Sequence, residues 1–400
     1  MSFIIKPFCA LYYNPFLVKD FSRVICPPYD IIDKKQLKIL RKRCSYNFSR
    51  ILLASNNNYK KIGERFKEWL KKGILIKDEK ENLYLYKQNF KYEDKIYTRF
   101  GIISLLRMDK KGVVFPHEYT LREPKEDRKR IIEEIQANLS PIFVIVPESL
   151  RIFKRIYRKY SKKRPFLEFK DKEGNFHCIW KIKENKDIEK ICKEIDKHKL
   201  VIADGHHRFE VTYCYYRKNR NKFKDLNYIL AYLTDVQKGL LILPTHRVVK
   251  CERDILKRLE IYFYVEEIKE KKLEKKLKEN KEIFSFGIYK DKKFYFLKLK
   301  KLSVLDKITK SEVYQYLDTY LLHKFVFSLL KIKGDKIKYT HSIKEAKKMV
   351  DKKRVAFLLR PTLLEVIYEI ATRRLRLPQK STYFYPKVGC GLLMRKFEKQ

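Results

Sequence analysis

The chain reads as a mixed α/β protein, and three observations predict it. Short apolar runs such as Leu200 to Ala203 and Pro141-Ile-Phe-Val-Ile-Val146 have the length and composition of buried strands. Between them stand segments of helical period, among them 127–137, whose apolar positions Ile131, Ile132 and Ile135 share one face. Glycine and aspartate turns, at Gly73, Asp94 and Gly205, punctuate the two kinds of segment. With 400 residues, 44% of them hydrophobic, and 28 tyrosines and 26 phenylalanines spread throughout, the chain can bury a sizeable core and is not disordered. Its length predicts two or three packed modules.

The first module is expected over residues 1–109. It offers the Pro27-Pro-Tyr-Asp30 turn, a helix from Lys34 to Arg41, a strand from Asn47 to Ala54 and a helix from Tyr59 to Lys71 that Gly73 ends. Strands at Leu83 to Gln88 and Tyr97 to Leu106 then form a hairpin around Asp94. Asp30 caps the following turn or, beside its doubled proline, reaches a pocket. The middle module, 110–250, carries the strands named above and others at Phe176 to Ile182, Tyr228 to Leu233 and Leu240 to Leu243, all expected in one sheet. Lys125, Asp127 and Arg128 read as first-turn charges on a helix surface. The third module, 251–400, pairs strands near Ile283 to Tyr289 and Lys293 to Lys298 with an amphipathic helix from Ser311 to Lys331, then adds a strand from Val355 to Leu359 and a helix from Leu363 to Ala371. It reads as support.

Every candidate for chemistry lies in the middle module. In Lys199-Leu-Val-Ile-Ala-Asp-Gly-His-His-Arg-Phe-Glu210 an apolar strand breaks at Asp204 and Gly205 and delivers His206, His207 and Arg208 to the start of a helix running to Arg217. The N–H groups of such a first turn face an anion, glycine lets backbone approach it, and Arg208 with a protonated histidine adds positive charge: the build of a phosphate cradle. The bland alternative is a capped helix whose histidines satisfy local carbonyls. Upstream, Pro116 fixes a loop holding His117 and Glu118 after the apolar run Val113 to Phe115, and a carboxylate there suits a general base, although a loop glutamate is as a rule merely solvated. Thr245, His246 and Arg247 emerge just after a strand, where Arg247 serves as a second phosphate or carboxylate clamp or as a surface ion pair.

The order of these segments, Pro116-His117-Glu118, a helix, a Pro-Ile strand and Asp204-Gly205-His206-His207-Arg208, resembles the ParB/sulfiredoxin-like superfamily, and most closely its free serine kinase branch. Over nearly its whole length the chain also resembles the domain of unknown function 1015 family, through Pro27-Pro-Tyr-Asp30, Asn47-Phe-Ser-Arg50, His117 to Arg128, Ala137-Asn-Leu-Ser-Pro-Ile-Phe143, Ala203 to Glu210, Leu243-Pro-Thr-His-Arg247 and Lys380-Ser-Thr-Tyr-Phe-Tyr-Pro386. The resemblance implies a ParB/sulfiredoxin-like core with a mixed sheet, flanked by N- and C-terminal α/β modules. It implies phosphoryl transfer from ATP or ADP to the hydroxyl of a small substrate, free L-serine first, with Gly205, His206, His207 and Arg208 on the phosphates and Glu118 accepting the hydroxyl proton beside His117. Asp204 would orient a histidine or help hold Mg²⁺. Two departures stand out: residues 147–198 intervene where the small kinases have a hairpin, and Phe209 replaces a tyrosine usual in the larger family.

Charge supplies the runner-up. A net charge of +45 draws polyanions, so a ParB-like nucleotide- and nucleic-acid-binding protein, including a nucleotide-switched clamp, is the alternative. The lysines are scattered, however, and the densest tract, Lys269 to Lys281, is interleaved with glutamates as a solvated helix face is. The sequence carries no zinc-finger spacing, no RNA-recognition aromatic motif and no uninterrupted basic arm. Eight cysteines, at positions 9, 26, 44, 178, 192, 214, 251 and 390, lack metal-site spacing and read as small core residues in a reducing compartment. Adjacent His206 and His207 point about 100° apart on a helix, which disfavours zinc hydrolysis. No apolar run approaches the ~18 residues needed to span a bilayer, and the segment from Met1 to Lys6 lacks a signal peptide's basic region, so a cytoplasmic location is expected.

Overall fold

The computed structural model describes residues 3–250, 254–279, 284–332 and 337–400. Cys251, Lys281 and Ile283, which figured in the expectations above, lie outside the described residues. The chain forms two compact units, one of residues 3–116, 120–240 and 386–400, the other of residues 117–119 and 241–385.

The first unit is built on a nine-stranded mixed sheet. Eight strands follow the order Val114–Pro116, Leu200–Asp204, Ile142–Ile145, Tyr228–Thr234, Lys95–Arg107, Leu83–Tyr92, Phe176–Ile182 and Leu167–Lys170, and the short strand Ile5–Lys6 pairs beside Lys95–Arg107. Leu200–Asp204 runs parallel to Val114–Pro116 and antiparallel to Ile142–Ile145, which in turn runs parallel to Tyr228–Thr234. Ile142–Ile145 and Tyr228–Thr234 are buried along their whole length, which is why they read as unbroken apolar runs and not as alternating ones. The hairpin turns at Glu93, in the left-handed region at φ 52°, beside the expected Asp94. The helices Arg122–Ile135 and His206–Asn219 pack on each other, and Ile132, Val211, Tyr215 and Phe397 form a satellite core.

This sheet does not divide at residue 109. Leu83–Tyr92 and Lys95–Arg107 sit in its middle, between strands from beyond residue 170, so residues of the expected first and middle modules share one core. The 147–198 segment supplies the helices Arg151–Tyr160 and Asn185–Ile195 and the two strands at the edge opposite Val114–Pro116. The expected strand Asn47 to Ala54 is instead a short helix, Ser49–Leu52. There the Asn47 side chain accepts hydrogen bonds from the Ser49 N–H and hydroxyl at 3.1 and 2.7 Å and bends the chain. Leu241–Leu243 does not extend the large sheet, because both neighbours of Tyr228–Thr234 are already in place; it pairs with Tyr383–Tyr385 in the second unit.

The second unit holds a six-stranded antiparallel sheet, ordered Phe263–Ile268, Lys293–Leu299, Ser285–Lys290, Arg354–Leu358, His246–Lys250 and Lys338–Thr340. The expected helix from Ser311 to Lys331 is broken into Glu312–Gln315, Asp318–Leu321, a π-helical turn Leu322–Val326 and Phe327–Leu329. Leu317 is extended and Asp318 turns inward to a bidentate pair with Arg360, which interrupts the helical period. Among the described residues no helix is long and apolar enough to cross a membrane.

Gly101, in the middle of the large sheet, shows how closely its strands approach. A Cβ there would stand 2.2 Å from the Leu233 carbonyl oxygen and 2.8 Å from the Tyr232 ring. Gly101→Ala is expected to cost about 3 kcal/mol, the upper part of the range for overpacking, because backbone must move. Urea unfolding checks this; an unchanged midpoint would contradict it.

Candidate functional site

In the first unit the expected strand–turn–helix is present. Leu200–Asp204 ends at Gly205, which adopts φ 95°, ψ 25°, and the helix His206–Asn219 follows at once. A Cβ at Gly205 would lie 2.9 Å from both Arg208 Nη2 and Ile142 Cγ2, so backbone conformation and close packing both demand glycine. The Gly205 carbonyl accepts the first helical hydrogen bond, from the Phe209 N–H at 2.9 Å. Pro116 pairs with Ile202 on the neighbouring parallel strand.

The charges at this turn form an ordered network. Arg208 donates through Nη1 to the Ser140 hydroxyl at 2.9 Å and to the Ser140 and Pro141 carbonyls, and through Nη2 to Asp204 Oδ2 at 2.9 Å. The other Asp204 oxygen accepts from Lys387 Nζ at 2.8 Å, and Lys387 also donates to Asp30 Oδ2 at 2.5 Å. Burial alone would raise the Asp204 pKa, but Lys387 and Arg208 outweigh it and hold the carboxyl well below the usual range. Burial would likewise lower the Lys387 pKa, yet Asp204 and Asp30 drive it well above the ordinary lysine value. The Lys387 side chain is only 9% exposed. Tyr29 is pushed up to about 12 by burial, with Asp30 and Asp204 raising it and Arg128 and Arg208 opposing them.

His207 differs from the expectation. Its Nε2 accepts the Leu121 N–H at 2.9 Å, just before the helix Arg122–Ile135, so that nitrogen carries no proton. The field that lowers Asp204 comes first from Lys387 and Arg208, with buried His206 a smaller contributor. Arg128 is no surface charge either: it is buried, donates to the Leu52 carbonyl at 3.0 Å and lies 4.1 Å over the Tyr29 ring. Asp30 joins the network through Lys387 rather than serving only as a cap. Lys387 and Ser140 were missed as site residues. Both had a signal, since Ser140 lies inside one matched segment and Lys387 directly follows another.

In the second unit His117 is buried, with Nε2 3.0 Å from the Thr382 hydroxyl, and its carbonyl accepts the Leu377 N–H at 2.7 Å. Glu118 is half-buried and its Oε1 accepts the Lys380 N–H at 3.3 Å. Arg247 is fully buried rather than surface-paired. It donates to the Thr245 carbonyl and, at 2.9 Å, to the Lys380 carbonyl, so the Lys380 residue touches both Arg247 and Glu118. Burial pulls Arg247 down to about 10 despite the opposing fields of Tyr339 and Glu118. His246 accepts the Leu359 N–H at Nδ1, 3.2 Å away, and burial with the charges of Arg247 and His341 holds it down to about 3, a neutral ring at physiological pH. The Thr245 hydroxyl lies 3.3 Å from His341 Nδ1. Among the described residues no group of three or more His, Cys, Asp or Glu side chains is placed to hold a metal ion.

With both sites in place, the chain is recognised as a mixed α/β protein of a defined family. It belongs to the family described as protein of unknown function (DUF1015), whose sequence profile matches residues 5–320. No curated protein matches it. Among solved structures it is similar to a conserved hypothetical protein from Pyrococcus furiosus, at 16% identity and a TM-score of 0.35, covering 74% of this chain and 94% of that one. It is also similar to a mutant free serine kinase in complex with AMP, at 14% identity and TM-score 0.38, covering 70% and 87%. A third similar structure is SbnI with a C-terminal truncation, from Staphylococcus aureus, at 10% identity and TM-score 0.38, covering 72% and 84%.

Removing the Lys387 ammonium leaves two carboxylates without their shared partner. Lys387→Met is expected to cost about 3 kcal/mol of stability, the cost of breaking a buried ion pair from one side. The pH dependence has a definite sign. Because the Asp204 pKa is depressed in the fold, its contribution is present above about pH 4 and lost as the pH falls further; because the Lys387 pKa is raised, its contribution is present below about pH 10 and lost above. Thermal denaturation of both proteins across this range tests it. A stability difference that did not shrink in acid would be incompatible with the network.

Proposed function

We propose that this protein is a nucleotide-dependent phosphotransferase acting on the hydroxyl of a small molecule, with free L-serine, giving O-phosphoserine, as the acceptor to test first. The observation that carries the reading is the Gly205 turn, which combines a left-handed glycine, a helix start and an arginine locked behind it. Such a turn offers backbone N–H groups to phosphate oxygens, and the ion-pair network behind it fixes their placement so that they need no rearrangement during the reaction. Further support comes from the order of the segments around His117, Glu118 and Asp204 to Arg208, which resembles the serine kinase branch.

In this reading ATP or ADP is the donor. Its terminal phosphoryl group passes to the acceptor oxygen, the shortened nucleotide leaves, and Glu118 takes the hydroxyl proton. Gly205, His206 and His207 contribute backbone at the phosphates, and Arg208, paired through Asp204 with Lys387, holds the turn in place there. His117 is a positioning residue for its neighbour Glu118. Asp204 does not fit as a Mg²⁺ ligand, since its two oxygens already accept from an ammonium and a guanidinium, so no step is assigned to the ion. Thr245, His246 and Arg247 support the acceptor side. The net charge of +45 favours one other reading, a ParB-like protein that binds nucleotide and nucleic acid.

Incubation with L-serine, Mg²⁺ and either ATP or ADP should yield O-phosphoserine. Glu118→Gln should lower kcat by about 100-fold or more, the contribution of a general base, with nucleotide affinity nearly unchanged. No phosphorylated product with any small hydroxyl compound, together with nucleic-acid affinity that falls steeply with salt and ignores Glu118, would replace the first reading with the second.

A further inference from the structure

Three buried polar groups of the second unit have no protein hydrogen-bond partner among the described residues: Arg247 Nε, His323 Nε2 and the Thr319 hydroxyl. They come from two elements that face each other. Arg247 pairs across the sheet with Phe357 and with Tyr339, so these side chains share one face. Phe357 packs edge-on against Phe327, with ring centroids 5.3 Å apart, and Phe327 lies 4.8 Å from the His323 ring. The helical segment carrying His323 therefore covers the face that carries Arg247. Thr319 precedes His323 by four residues, on the same side of that segment. The turn Leu322–Val326 is π-helical, a distortion that recurs at functional sites.

The chemistry of the three groups agrees. Both Arg247 hydrogen bonds run to neutral backbone carbonyls and neither to a carboxylate, so the buried cation lacks charge compensation from them. Burial, and then the Arg247 charge, pulls His323 down to about 4, leaving a neutral ring that can present Nε2–H. The threonine hydroxyl can donate as well. A guanidinium N–H, an imidazole N–H and a hydroxyl, buried on facing elements without protein partners among the described residues, are three donors, more than a single water can accept but well matched to the lone pairs of a carboxylate.

We propose that Arg247, His323 and Thr319 form an internal site for the carboxylate of a small organic acid. This rests on the phosphotransferase reading in one respect: Glu118 and Arg247 both bond the Lys380 backbone, so the acid bound here would be the acceptor substrate, which must then carry a carboxylate as well as a hydroxyl. Serine meets that requirement and ethanolamine, its decarboxylated counterpart, does not.

The test uses the full chain and binding rather than turnover. Isothermal titration with L-serine and with acetate should show binding, and ethanolamine should show none. Thr319→Val and His323→Phe should each weaken L-serine about tenfold or more, as expected for losing a hydrogen bond to a charged group. Neither should lower the thermal midpoint, because each removes a buried group that lacks a protein partner; a purely structural role would lower it. Unchanged serine affinity in both variants, or no binding of either carboxylate to the parent protein, overturns the proposal. The two readings separate cleanly. Carboxylate binding that the variants abolish, without phosphoserine from any donor, keeps this site and removes the kinase; phosphoserine formation with an unaltered serine KM in both variants does the reverse.

Discussion

The bond on which the candidate site depends is the Lys387 ammonium held between Asp30 and Asp204. It joins an N-terminal turn, the end of the strand Leu200–Asp204 and the C-terminal segment, which are otherwise far apart in sequence. Through Asp204 the same network reaches Arg208, and through Arg208 the Ser140–Pro141 backbone. Two cations alternate with two carboxylates, so the network is close to neutral as a whole. A ligand phosphate is then attracted less by net charge than by oriented N–H groups at the helix start. Rigid placement prevails over raw attraction, which fits the proposed role of holding a nucleotide's phosphates in register.

A similar economy runs through the other buried guanidiniums. Arg99 donates to the Pro386 carbonyl, Arg128 to Leu52, Arg247 to Lys380 and Arg395 to Asp225. Arg247 and Arg395 each bond two or more backbone carbonyls, whereas Arg99 shares its donors between Pro386 and the Gln88 side chain and Arg128 between Leu52 and the Asp127 carboxylate. Part of the basic excess is thus internal cement. Lysine, with a single ammonium, could not span two carbonyls in the same planar geometry, which accounts for arginine at positions 247 and 395.

Much of the fold was legible in the sequence because its strands are buried on both faces and its helices are amphipathic. Phe176–Ile182 and Tyr59–Lys71 were predicted to the residue. The failures have local causes: Asn47 captures the backbone ahead of a would-be strand, and Asp318 turns inward to Arg360 and breaks a would-be helix. Neither side-chain bond has a periodic signature. The same limit applies to the site. Gly205 and its flanking residues announced themselves as a contiguous motif, whereas Asp30 and Lys387 are brought to Asp204 only by the folded chain. Arg247 was legible as a charged residue after a strand, but its full burial depends on sheet order, which a one-dimensional pattern does not encode.

The surface charge bears on partners by its arrangement more than its size. In the helix Glu270–Glu279, the richest in lysine, Lys276 and Lys272 pair with Glu266, and Glu270 pairs with Lys347. Such exposed pairs add little stability, yet they break the tract into short dipoles and prevent a continuous basic ridge. A nucleic-acid duplex needs positive charge along the spacing of its phosphates to release counterions. A small anion needs only a favourable potential during approach and a fixed cradle on arrival. Scattered lysines around an ordered, internally neutral turn meet the second requirement more fully than the first, which supports the proposed nucleotide reading over the polynucleotide one.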